Sequence, residues 1–107
     1  MDRQIYQRRA DDCLECVAEW LEDFDPDEVD FTSADGVVKI EFPDGVTYVL
    51  NRQAAADQMW FAAGASAWHY DWDDAGECWR CDKDGHELME RIGRTVSEKI
   101  GRAVRPE

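Results

Sequence analysis

The segment VVKIEFPDGVTYVLN, residues 37–51, decides the fold. Val38, Ile40 and Phe42 alternate with Val37, Lys39 and Glu41, and after the turn Pro43-Asp44-Gly45 the residues Val46, Tyr48 and Leu50 again share one face. A period of two on both sides of a tight turn specifies a β-hairpin with one buried face. The pattern repeats in both directions. Upstream, Asp35-Gly36 is a turn behind a short extended segment that ends near Ala34. Downstream, QMWFAA (58–63), WHYDW (68–72) and ECWRC (77–81) read as strands, separated by Gly64-Ala65-Ser66 and by Asp73-Asp74-Ala75-Gly76. Arg52 to Ala56 reads as an irregular connection. Consecutive short strands joined by tight turns form an antiparallel meander, here of five to six strands.

A helix flanks the meander at each end. With residues 4–24 placed at roughly 100° per residue, Tyr6, Cys13, Leu14, Val17, Leu21 and Phe24 fall on one stripe. The second helix is expected from about Gly85, with Asp84 as N-cap, Glu87 completing a capping box, and Leu88, Ile92, Val96 and Ile100 as its apolar stripe. Gly93 inside it marks a close approach to the sheet. Residues 1–3 and 102–107 read as frayed ends. The order helix, strands, helix gives an α+β two-layer sandwich, a single domain over residues 1–107, with both helices on one sheet face. If Met59 and Phe61 face the helices, Gln58 and Trp60 face away, together with Asn51 and His69. A large indole among amides on a bare sheet has the composition of a protein-binding hot spot.

Charge narrows the function. The formal net charge of −13 opposes binding to nucleic acid and to anionic membranes, and favours cations or a basic protein partner. Ten of the 25 carboxylates lie between Asp11 and Asp30, with no basic residue among them. Asp11, Asp12, Glu15, Glu19, Glu22 and Asp23 fall opposite the apolar stripe. Asp11–Glu15, Glu15–Glu19 and Glu19–Asp23 are like-charge neighbours, each costing about 0.2–0.5 kcal/mol, and Glu22 and Asp23 oppose the helix dipole. Solvated helix faces usually interleave both signs, so this face reads as a functional anionic surface. Five Trp, four Phe and three Tyr supply the apolar surface that disordered acidic chains lack.

No apolar signal-peptide core or membrane-length segment is present, so the cytoplasm, with reduced cysteines, is the expected location. No Ser-His-Asp, Cys-His or phosphate-binding glycine pattern appears, and an enzyme is not expected. Cys13-x-x-Cys16 and Cys78-x-x-Cys81 resemble halves of a four-thiolate zinc site. Three apart on a strand, however, Cys78 and Cys81 point to opposite faces, and Cys13 lies on the apolar stripe with Cys16 at its edge. Structural thiols are the expectation. His69 and His86, remote from the acidic run in sequence, read as surface or core histidines.

NRQAAADQMWFAA (51–63), HYDW (69–72) and ECWRCDKDG (77–85) resemble the frataxin family, in particular its bacterial CyaY type, and the likeness covers nearly the whole chain. The resemblance implies the same two-layer fold. It implies an iron-binding protein that associates with the cysteine desulfurase and the scaffold of iron–sulfur cluster assembly and modulates cluster formation. The family's acidic ridge falls on Glu19, Glu22, Asp23, Asp25, Asp27 and Asp30, and Asp11, Asp12 and Glu15 extend it toward the N-terminus. The family's sheet surface for partners falls on Asn51, Arg52, Gln53, Gln58 and Trp60, and Glu19, Glu22 and Asp23 are expected to meet a basic patch on the desulfurase. Pro26 and the two cysteine pairs depart from the family pattern.

Carboxylates are hard donors, and neighbouring acids on a helix seldom converge on one ion. Fe2+ or Fe3+ is therefore expected in open, weak, partly hydrated sites, where calcium, manganese or cobalt competes. A monomer that metal can drive into oligomers is the expected state. The alternative reading is an acidic protein-interaction module whose metal binding is incidental.

Overall fold

A computed structural model describes residues 1–106. Helix α1 (Arg3–Glu22) leads into β1 (Asp30–Ala34), β2 (Val37–Glu41), β3 (Thr47–Gln53), β4 (Gln58–Ala63), β5 (Ser66–Asp73) and β6 (Cys78–Cys81), and α2 (Leu88–Ile100) follows. The strands pair antiparallel in chain order, β1-β2-β3-β4-β5-β6, as the turn spacing predicts.

The alternation sets the layers. Val38, Ile40, Tyr48, Leu50, Met59, Phe61, Tyr70 and Trp79 turn to one side and are buried against Tyr6, Leu14, Val17 and Leu21 of α1 and Leu88, Ile92 and Val96 of α2. Each fully buried side chain of this size contributes about 1.5–3 kcal/mol. The Tyr6 hydroxyl donates to the Gln58 carbonyl at 2.9 Å, so the one polar group that α1 sends into the core is satisfied. The opposite sheet face carries no helix.

Four local expectations need correction. Arg52 and Gln53 continue β3, and only Ala54–Ala56 form a single 3-10 turn. Extending the strand also settles sides: Arg52 shares the face of Leu50 and turns toward the helix layer, away from the open face. Helix α2 starts at Leu88 because the Asp84 carboxylate accepts from the His86 N–H at 3.1 Å, an Asx turn, and Glu87 occupies the N-cap without a side-chain bond. Gly93 approaches the C-terminal tail, not the sheet: a Cβ there would meet Pro106 and the Val104 carbonyl at 3.1 Å.

Both ends are tied down where fraying was expected. The Asp2 carboxylate caps α1 by accepting from the Gln4 and Ile5 N–H groups. The Ser97 hydroxyl donates to the Val104 carbonyl at 3.0 Å and accepts from the Val104 N–H at 2.9 Å, and Pro106 is buried. Residue 107 lies outside the described residues.

Candidate functional site

The stripe that α1 buries fixes where its acids go. With Tyr6, Ala10, Cys13, Leu14, Val17 and Leu21 against the sheet, Asp11, Asp12, Glu15, Glu19 and Glu22 face water. Asp23, Asp25 and Asp27 continue the bank through the loop after α1, and Asp30 opens the edge strand β1; all are exposed. Pro26 sits inside this loop without turning its acids inward. A groove of about 380 Å3 separates α1 from the β1–β2 hairpin, with Asp11, Glu15, Glu19 and Glu22 on one wall. Asp35, at φ +54 in the hairpin turn, adds a carboxylate to the opposite wall. Its only signal in the sequence was the Asp-Gly turn, which speaks for backbone shape and not for proximity to α1.

Two acids of the segment are neutralised. Arg52 reaches Asp11 at 2.7 Å, and Gln7 also donates to that carboxylate. Arg102 pairs with Glu28 at 2.6 Å and holds its pKa below the ordinary carboxylate value. Among the described residues, Asp12, Glu15, Glu19, Glu22, Asp23, Asp25, Asp27 and Asp30 take part in no ion pair. Nor do three of them converge. Among the described residues, the one group of three Cys, His, Asp or Glu side chains whose ligand atoms all lie within 4.8 Å of one another is Cys81, Asp84 and His86, outside the ridge. The ridge therefore suits hydrated or one- and two-carboxylate binding of hard cations, with little geometric selectivity.

The open sheet face carries the second surface. Asn51 pairs with Trp60 and Trp60 with His69, forming one cross-strand row over β3, β4 and β5. The Trp60 and His69 rings stack with centroids 4.3 Å apart. Trp60 Nε1–H donates to Gln58 Oε1 at 3.0 Å, while Gln58 Nε2 donates to Asp71 and Asp82. The indole is thus held in place by groups that are themselves held, as a preorganised docking anchor requires. Gln53 pairs with Gln58 on the same face. Arg52, expected with them, belongs to the rim of the ridge.

The cysteines separate into two places. Cys13, Cys16 and Cys78 line a cavity of about 250 Å3 between α1 and β6, and burial raises the pKa of all three thiols. Cys81 lies in the row of Met59 and Tyr70 on the helix side. Among the described residues no disulfide joins the four cysteines, and they do not gather into one site. Among the described residues no helix is long and apolar enough to cross a membrane.

Fold and surfaces together define a small α+β domain with an anionic helix edge and a bare sheet face around a fixed indole. The chain belongs to the frataxin family: the frataxin-like domain matches residues 1–102. It is 34% identical over 103 residues to the iron-sulfur cluster assembly protein CyaY of Stutzerimonas stutzeri, covering 94% of each chain. The frataxin of Psychromonas ingrahamii shares the fold at 22% identity, with a TM-score of 0.86 over 97% of this chain and 96% of that one. Trimeric frataxin from the yeast Saccharomyces cerevisiae, solved in complex with ferrous iron, superposes with a TM-score of 0.75 at 28% identity, over 88% of this chain and 87% of that one.

Proposed function

We propose that this protein is a non-enzymatic regulator of iron–sulfur cluster assembly that binds iron weakly along its acidic ridge and docks on the cysteine desulfurase and the assembly scaffold. The observation that carries the reading is the run of exposed carboxylates from Asp12 to Asp30 along α1 and into β1, interrupted by one acid, Glu28, that is half-buried and paired with Arg102. Like-charge neighbours cost stability on α1, and a function that uses the field accounts for their retention. Frataxin-family membership and the ferrous complex of the yeast relative support iron as the cation.

The ridge attracts cations into an open hydrated layer and steers a basic protein surface toward the same charges. Metal and partner then compete. On the sheet face, Trp60 and the amides of Asn51, Gln53 and Gln58 supply short-range contacts once the charges have oriented the partners. The test measures association with the desulfurase as a function of salt, for the native chain and for a variant with Glu19, Glu22 and Asp23 changed to Lys. The expected result is an association rate that falls with salt and falls further in the variant. Binding indifferent to both would sink the reading.

The absence of any converging trio on the ridge favours a second reading, an acidic interaction module whose metal binding is incidental. Iron titration followed by NMR separates the two: line broadening confined to residues 11–30 at physiological ionic strength supports the iron regulator, and none supports the module.

A further inference from the structure

We propose that Cys81, Asp84 and His86, at the turn joining β6 to α2, form a metal site of thiolate, carboxylate and imidazole ligands for a borderline divalent ion such as Zn2+ or Co2+. The site is separate from the ridge and independent of the function proposed for it.

The backbone builds it. Cys81 faces the helix layer because it ends the cross-strand row that contains Met59 and Tyr70. The Cys81 N–H donates to the His86 carbonyl at 2.8 Å, and the Gly85 N–H donates to the Cys81 carbonyl at 3.0 Å. These bonds fold residues 81–86 back on themselves, with Gly85 at φ +76 supplying the left-handed step. Asp84 and His86 are thereby returned beside the residue that began the turn.

The side chains complete it. His86 Nδ1 lies 2.5 Å from Asp84 Oδ1. His86 Nε2 lies 2.6 Å from the hydroxyl of buried Tyr70, which fixes the ring with Nδ1 toward Asp84. One sulfur, one nitrogen and one oxygen thus lie within 4.8 Å of one another. A tetrahedral ion with bonds of about 2.0–2.3 Å needs ligand atoms about 3.3–3.7 Å apart. Asp84, 64% exposed, can rotate to widen its separation from the ring. With an ion on Nδ1, the ring carries its proton on Nε2 and donates it to Tyr70, the outer hydrogen bond that zinc-bound histidines commonly make.

Donor chemistry sets the ligand class. Thiolate and imidazole favour zinc-like ions over calcium and magnesium, the reverse of the all-oxygen ridge. Three protein ligands leave a fourth position for water. A groove of about 400 Å3, lined by Ala65, Ser66, Ala67, His69 and Lys83, opens on Cys81 and Asp84 and gives the ion a way in.

Co2+ titrated into the full chain under reducing conditions tests the site, because a thiolate ligand gives a near-ultraviolet charge-transfer band that carboxylates cannot. One equivalent of Co2+ should produce that band with the strong visible absorption of tetrahedral cobalt, one equivalent of Zn2+ should abolish it, and excess Mg2+ should not. Cys81→Ser and His86→Gln should each lose the band. Tyr70→Phe should weaken binding by about 10-fold or more. The band should survive Cys16→Ser with Cys78→Ser, and it should survive Glu19→Gln with Glu22→Gln. His86→Gln alters a residue at the rim of the core, so circular dichroism can verify its fold even if Cys81→Ser misfolds. No charge-transfer band in the native protein, a band that persists in His86→Gln, or one lost with Cys16 and Cys78 overturns the proposal.

Discussion

At Gly36 a backbone φ of +79 coincides with a neighbour that leaves no room for a side chain: an added Cβ would lie 2.7 Å from the Arg52 guanidinium. The guanidinium crosses the glycine to reach Asp11, so one turn residue governs how much of the ridge is neutralised. Gly36→Ala is expected to cost about 1–2 kcal/mol in urea unfolding, chiefly from the left-handed backbone. Arg52→Gln should change stability by less than about 1 kcal/mol, because exposed ion pairs contribute little. It should nonetheless tighten cation binding, since Asp11 then joins the free carboxylates, and calorimetry with Fe2+ or Co2+ measures the gain. Trp60→Ala probes the other surface: if the indole anchors the partner, desulfurase affinity falls by about 30-fold or more, the loss expected of a hot spot. An unchanged affinity would remove Trp60 from the interface.

Helix α1 trades stability for field. Glu19 stands four residues from both Glu15 and Asp23, so Glu19→Gln should relieve two repulsions and raise stability by about 0.4–1 kcal/mol in thermal unfolding, while weakening cation binding. Helix α2 depends on its tail. Ser97→Ala removes both bonds to Val104 and is expected to cost about 1–3 kcal/mol, with faster amide exchange at Val104. How far each element was legible follows from the range of the physics that sets it. The α1 stripe and the strand alternation were legible because periodicity is a local consequence of burial. Asn51, Trp60 and His69 were rightly grouped because side chains on paired strands keep parity across the sheet. The start of α2 was misread because Asp84 could cap a helix or close an Asx turn, and the contact with His86 decides between them. Arg52 was misplaced by ending β3 too early, which removed the parity that sends it to the helix side. Gly93 gave a true signal of close packing but could not name the packing partner, and Cys81, Asp84 and His86 converge only because the turn after β6 closes.

For the molecule as a whole, the charge of −13 makes stability depend on the solvent. The ridge repels itself, and salt that shortens the Debye length to about 8–10 Å screens that repulsion, so moderate NaCl should raise the unfolding temperature even as it slows partner association. Acid acts elsewhere. Glu28 beside Arg102, Asp44 beside Lys99 and Asp73 beside Arg80 are each held below their ordinary values of 4.5, 3.8 and 3.8 by the hydrogen bond from the neighbouring cation. A carboxylate whose pKa is lower folded than unfolded contributes stability that is fully present above the unfolded value and is lost as pH falls through the folded one. Two of the three pairs join distant parts of the chain, and the third ties two neighbouring strands: Arg102 follows α2 and meets the loop before β1, Lys99 on α2 meets the β2–β3 turn, and Arg80 on β6 meets the end of β5. Their loss should therefore loosen both helix-to-sheet docking and the last edge of the sheet. The expected outcome is a thermal midpoint insensitive to these groups above 4.5 and falling below it, with the fall reduced in a variant carrying Arg80→Gln, Lys99→Gln and Arg102→Gln. An acid limb of the same steepness in that variant would assign acid unfolding to other carboxylates.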